Sequence, residues 1–239
     1  MRKIFLMLLL IPVLGWSQTK NVVNAIRVFP KIDKQAEFEK ALSAHAQKYH
    51  AGDWKWRVFG IQTGPDAGGF HITEGPLSWE QFDSRGNLGA EHDMDWKKTV
   101  TPLLSQEYQS SYSVYQEDLS TIAVGDYSDK IIITHYYPKP GYAPELRSHL
   151  LKLKKAWEAG GSTIVVYTAA ASGPMQYVVV NRLKQGMKEM ASGFRTPIKE
   201  RYEKIHGEDS WDGWGDFMKH GIERTYSEML FFRADLSSK

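Results

Sequence analysis

Two pairs of residues in this chain have the types and spacing for chemistry. Arg27 and His135 stand 108 residues apart, the interval that also separates Pro30-Lys31 from Pro138-Lys139. Each sits in an apolar, strand-like stretch. Arg27 shares its alternation with Val23, Ala25 and Phe29, and His135 shares its own with Ile131, Ile133 and Tyr137. A polar side chain at the same place in both halves could line a shared cavity. The plainer reading, which the sequence favours, puts both near strand ends, where long side chains reach water.

The second pair is Arg57 and His71. Lys55 and Arg57 share one strand parity, and His71 and Thr73 share one on the next strand, while Trp56, Phe70 and Ile72 take the other. If the polar face points into a space between two sheets, Arg57 and His71 form a site for an anion or enolate. The corresponding positions in the second half, about Val166 and Val178, are apolar. Only the first half could then carry this site, although drift would leave the same asymmetry. The expected ligand-binding residues are therefore Arg27, Arg57, His71 and His135, with His71 and His135 as candidate catalytic bases.

Other chemistries lack support. The 239 residues contain no cysteine, which excludes disulfides, thiolate catalysis and Cys-ligated metals. Glu91-His92-Asp93 with Asp95, and the stretch from His206 to His220, are rich in metal-ligating types. Neither has the order of a calcium loop or a His-Glu-x-x-His zinc site, so no metal is expected. Ser210 to Trp214 reads as an acidic surface loop. No nucleophile elbow, P-loop or dinucleotide fingerprint occurs, and Gly64 to Gly69 is hairpin chemistry.

Elements that would position these residues follow from periodicity. The first half reads as strand Val22 to Phe29, a helix capped by Asp33 and closed by Gly52, and strands Trp54 to Gln62 and Phe70 to Glu74. A short helix capped by Ser78, a helix from Leu88 to Gln106 strained by Pro102, and strand Tyr108 to Glu117 complete it. The second half repeats the order with strand Lys130 to Tyr137, helix Pro144 to Glu158, and strands Ser162 to Ala171 and Met175 to Leu183. Helices Lys184 to Ser192 and Pro197 to His206 and a last strand from Arg224 to Phe232 follow. Under the 108-residue shift Glu37 meets Glu145, Leu42 meets Leu150, and Ala51-Gly52 meets Ala159-Gly160. The expected fold class is α+β, with two ferredoxin-like β-α-β-β-α-β units, 18–120 and 121–239, packed sheet to sheet as an intramolecular pseudo-dimer.

Residues 1–17 read as a signal peptide: Arg2-Lys3, an apolar run from Ile4 to Leu14, and small residues before a cut at Gln18. An uncleaved anchor is the lesser alternative. The expected location is periplasmic or secreted, with no stable membrane insertion after cleavage. Losing Arg2 and Lys3 lowers the 30 basic residues to 28, against 28 acidic ones. Such a neutral balance gives no reason to expect a nucleic-acid partner. The 42% hydrophobic fraction can supply a core without disulfides.

The doubled element order, with its strand-Pro-Lys-helix openings at Phe29-Pro30-Lys31 and Tyr137-Pro138-Lys139, resembles the dimeric α+β barrel superfamily. That superfamily includes the antibiotic-biosynthesis monooxygenase-like, NIPSNAP-like and related stress-responsive barrel proteins. The resemblance covers essentially the whole mature chain. It implies a barrel that hosts many activities. One is monooxygenation without a bound cofactor, in which His71 or His135 would take a proton from a phenolic substrate. Haem-binding relatives use a helix histidine as axial ligand, which brings in His45 and His149. These two are not equivalent under the shift, since His45 aligns with Leu153 and His149 with Ala41, and no second motif supports haem. The expectation is an exported barrel that binds a small apolar or aromatic molecule and carries no cofactor. A monooxygenase-like enzyme and a pocketless interaction protein are the alternatives. A homo-oligomer is compatible with the sequence.

Overall fold

The computed structural model describes residues 19–85 and 88–239. The expected signal peptide, 1–17, lies outside the described residues. Eight strands form one closed barrel in the order β1-β3-β2-β8-β5-β7-β6-β4. The strands of the first half are β1 (Val22–Pro30), β2 (Trp56–Ile61), β3 (Phe70–Leu77) and β4 (Leu104–Tyr115). Those of the second are β5 (Lys130–Pro138), β6 (Ile164–Ala170), β7 (Tyr177–Arg182) and β8 (Ile222–Phe232). Within the halves the orders are β4-β1-β3-β2 and β8-β5-β7-β6, and every pairing is antiparallel.

Two seams close the barrel. Phe59, Gly60 and Ile61 of β2 pair with Phe232, Phe231 and Leu230 of β8, and Tyr112 to Tyr115 of β4 pair with Ala170 to Tyr167 of β6. The halves therefore meet along their edges around one shared interior and are not stacked as the two layers of a sandwich.

The strand alternation divides the apolar residues into three clusters. Helix α1 (Gln35–Tyr49) lays Phe38, Leu42 and Ala46 on the outward side chains Val28, Trp56, Val58, Phe70 and Ile72. The helix Ala143–Ala159 does the same in the second half, with Leu146, Leu150 and Leu153 against Ile164, Val166, Tyr177 and Val179. The inward set Phe59, Ile61, Ile131, Ile133, Val180 and Leu230 forms a third cluster inside the barrel.

Several expected elements are corrected. The helix read from Leu88 to Gln106 is a short helix (Ala90–Asp95), a π turn (Trp96–Val100) and a 3-10 turn (Thr101–Leu103), after which β4 starts at Leu104. Pro102 has no N–H to continue an α-helix, and Leu104 pairs with Pro30 instead. Asp33 does not cap α1; it lies inside a 3-10 turn, Ile32–Lys34, that leads into the helix. Ser78 does cap its short helix (Trp79–Ser84), in a capping box with Gln81. The helix read from Lys184 to Ser192 is a 3-10 turn, Gly186–Met190. The segment read as a loop at Ser210 to Trp214 begins a helix, Ser210–His220, that buries Trp214 and Phe217 beside Tyr202. Trp214, Phe217 and Met218 recur at helical spacing, and that outweighs the two glycines between Ser210 and Asp216. No helix among the described residues is long and apolar enough to cross a membrane.

Candidate ligand site in the barrel

The barrel encloses a cavity of about 500 Å³ lined by inward side chains from all eight strands. Arg27 enters it from β1, Arg57 from β2, His71 from β3 and His135 from β5. The expectation that Arg27 and His135 reach solvent is overturned. They are 7% and 8% exposed, because closure of the barrel turns their strand face inward.

Arg27 and His135 share one carboxylate. Glu228 on β8 is 1% exposed and accepts from both guanidinium Nη atoms of Arg27, with Nη1 to Oε2 at 3.0 Å. His135 Nε2 lies 2.9 Å from Glu228 Oε1 and 3.4 Å from Arg27 Nη2. His135 Nδ1 contacts Gln176 Oε1 at 3.0 Å, so both ring nitrogens are engaged. Asp66, from the turn between β2 and β3, adds a second carboxylate to Arg27. Burial alone would push Glu228 up, but hydrogen bonds from His135 and Arg27 outweigh it and hold the acid below its ordinary range. Burial likewise works against the charge on Arg27. Glu228 and Asp66 more than compensate, so its pKa is raised.

His71 is differently placed. It faces Arg27 across the β1–β3 ladder, and its buried Nδ1 has no hydrogen-bond partner. Burial, reinforced by the positive charge of Arg27, pushes its pKa down to about 3. The ring is therefore neutral at physiological pH. Of the two candidate bases, His135 is held at both nitrogens and His71 keeps one free.

Arg57 has no carboxylate within ion-pair distance among the described residues. Its guanidinium carbon lies 4.0 Å from the Tyr127 ring centroid and 4.4 Å from that of Phe232. Burial lowers its pKa, and its Nε is buried without a partner. Arg182 reaches the same cavity but is held by the carbonyls of Val124 and Asp126 and by the Tyr167 hydroxyl. Burial pushes the Tyr167 phenol up to about 12, and it raises Tyr226 as well, so both stay neutral hydrogen-bonding groups. Tyr226 stacks on His135 with ring centroids 4.6 Å apart.

Sequence reasoning brought four of these residues forward and missed Glu228, Asp66, Tyr167 and Tyr226. Glu228 had one available signal: it alternates with Tyr226 and Leu230 on an apolar strand, where an acid is out of place. His45 and His149, the histidines weighed for haem, lie beneath helices on the outer side of the barrel and do not border the cavity.

No family model matches the chain. No curated protein matches its sequence. Solved structures do share its shape. A candidate monooxygenase from Lactobacillus acidophilus NCFM is 8% identical, with TM-score 0.52 over 92% of this chain and 96% of that one. A candidate monooxygenase from Fusobacterium nucleatum is 14% identical, with TM-score 0.53 over 88% and 91%. An anthrone oxidase-like protein is 13% identical, with TM-score 0.53 over 90% and 92%. At these identities the likeness shows the fold alone: this chain shares the α+β barrel fold of those structures.

Proposed function

We propose that the barrel interior binds a small anionic molecule with an aromatic or apolar body. The observation that carries this reading is Arg57, a cation inside the cavity, flanked by two aromatic rings and lacking a carboxylate. An unpaired buried charge is unfavourable, and ring faces offset only part of that penalty. A ligand carboxylate, phenolate or enolate would complete the pairing, while Phe59, Ile131, Ile133 and Val180 would take its apolar part. The volume suits a ligand of this size, since small-molecule pockets run from about 300 to 1,000 Å³.

The test compares 2-naphthoate with neutral 2-naphthalenemethanol by calorimetry. The acid should bind at least tenfold tighter, a difference of about 1.4 kcal/mol. Arg57→Met should remove that preference, and Ala25→Trp, which fills the cavity, should abolish binding of both. Equal binding of acid and alcohol, or acid binding that survives Ala25→Trp, would sink the proposal.

A second reading is a monooxygenase-like enzyme. It is favoured by the unpartnered Nδ1 of His71 and by the names of the similar structures. His71 would remove a proton from a phenol or from an acidic methylene of the anthrone kind; the carbanion would form a C–O bond with dioxygen, and the resulting hydroperoxide, protonated by the imidazolium, would lose water to leave a carbonyl. Magnitude works against it. A base near pKa 3 facing a phenol near 10 meets a mismatch of roughly 7 units, or about 9–10 kcal/mol. Only a far more acidic substrate, or a ligand that raises His71, would close that gap. Dioxygen uptake with anthrone that disappears in His71→Gln would establish the enzyme over the binder.

The same proposal takes the two halves, 18–120 and 121–239, as copies of one ferredoxin-like unit. Their matching strand orders support it. It also places the mature chain outside the cytoplasm, and an N-terminus at Gln18 on protein recovered from its own cells would test this.

A further inference from the structure

A second cluster lies outside the barrel, under α1. His45 from α1, His50 just after it and His92 from the helix Ala90–Asp95 converge so that one ligating nitrogen from each lies within 4.8 Å of the others. The Nε2 atoms of all three are buried and have no hydrogen-bond partner. Each Nδ1 faces a carboxylate. His45 Nδ1 is 2.8 Å from Asp95 Oδ2, and His92 Nδ1 is 3.0 Å from Asp93 Oδ1. His50 Nδ1 is 3.3 Å from Glu74 Oε2, close but not aligned as a hydrogen bond.

That arrangement decides the tautomers. A carboxylate only accepts, so at His45 and His92 Nδ1 carries the proton and Nε2 presents its lone pair, and the approach of Glu74 favours the same tautomer at His50. The three rings gather inside a wall of Trp56, Trp96 and Tyr49, with unpartnered nitrogens buried among them. Buried acceptors without partners are unfavourable. An aromatic core would be more stable with phenylalanine at these positions. Neutral imidazoles oriented from behind by carboxylates are the ordinary ligands of a zinc ion, with an open fourth position for water.

We propose that His45, His50 and His92 bind a divalent transition-metal ion, Zn²⁺ foremost, through Nε2, with Asp95, Asp93 and Glu74 orienting the rings. Tetrahedral Zn–N bonds near 2.0–2.1 Å separate the ligand atoms by about 3.3 Å, so the rings would draw in by an ångström or so. Glu74 is itself fixed by Trp56 Nε1 and Arg85 Nη2, each at 3.0 Å, and so can serve as the rigid member of the outer shell. The site stands on the opposite side of β2 and β3 from the cavity, because Trp56 and Glu74 face outward where Arg57 and Thr73 face inward.

The test uses the full protein, stripped with chelator and titrated with Zn²⁺ and then Co²⁺. A single ion should bind per chain. The Co²⁺ form should show the intense visible bands of a four-coordinate site, and Trp fluorescence should change because His50 stacks on Trp56 at 3.5 Å. His92→Gln, at a half-buried position on a short helix, should weaken Zn²⁺ binding at least 100-fold while circular dichroism stays the same. Asp95→Asn should weaken it about 10–100-fold. His149→Gln, on the far half, should change nothing. Stripped protein that takes up no Zn²⁺, Zn²⁺ that binds His92→Gln as tightly as the parent, or Co²⁺ spectra of an octahedral aquo-ion would each overturn the proposal.

Discussion

Arg27 on β1 and His135 on β5 meet inside the barrel at 3.4 Å, and both hold the carboxylate of Glu228. They are 108 residues apart in the chain and sit at corresponding places in the two halves. The carboxylate comes from β8, which pairs with β5 on one side and β2 on the other. One buried acid therefore ties the first half to the second across their shared interior.

Removing that acid leaves Arg27 buried with only Asp66 as partner. Glu228→Ala should destabilise the protein by about 3 kcal/mol at pH 7, the lower end for breaking a buried pair. The pH dependence has a definite sign. Glu228 is held below its ordinary pKa, so its contribution is complete above about pH 4.3 and is lost as pH falls through the folded value. Urea unfolding at several pH values would show a shallower acid limb in Glu228→Gln than in the parent. A change below about 1 kcal/mol for the alanine variant would count against the shared-acid account.

His71 should not titrate between pH 5 and 8 when followed by NMR. Its pKa is pushed down to about 3 in the folded chain, against about 6.5 unfolded. Above about pH 6.5 the ring is neutral in both states and has no effect on stability. Between about 6.5 and 3 the unfolded chain takes up a proton that the native ring refuses, so stability declines as pH falls. His71→Gln should flatten that decline.

Arg57→Met should have opposite effects on stability and on binding. The substitution removes a buried cation that has no carboxylate and keeps an unbranched side chain between Tyr127 and Phe232. The ligand-free melting temperature should hold or rise, even as affinity for naphthoate falls. A loss of several degrees would mean that the guanidinium is needed by the fold itself.

Trp214→Ala and Phe217→Ala should each cost about 3–5 kcal/mol. Trp214 is 8% exposed and Phe217 fully buried, in the same cluster as Leu150, Leu153 and Tyr202. Thermal unfolding would check this directly. A surface-like loss below about 0.5 kcal/mol would restore the loop reading of this segment.

Much of the architecture could be read from local pattern. The alternation in Val23-Asn24-Ala25-Ile26-Arg27 and in Ile131 to Tyr137 fixes which residues share a strand face, since the pleat has period two. Leu146, Leu150 and Leu153 fix the buried face of the helix Ala143–Ala159 in the same way, at a helical period. The breaks at Pro30 and Pro138 follow from a missing N–H and a fixed φ. Errors arose where local signals were mixed. Gly213 and Gly215 with Asp212 and Asp216 disguised the helix Ser210–His220, and the stretch before Leu104 looked helical because nothing local announces that β4 must reach Pro30.

The site is a different matter. Parity determined that Arg27, Arg57, His71 and His135 each lie on a definite strand face, but not which face looks inward. That depended on two seams, β2 with β8 and β4 with β6, formed between residues far apart in the chain. The same closure supplied Glu228 and left Arg57 without a carboxylate, while the packing of the helix Ala90–Asp95 on α1 brought His92 to His45 and His50. Periodicity is a property of neighbours along the backbone and survives in the sequence. Convergence of side chains in space is a property of strand order, and only the folded barrel sets it.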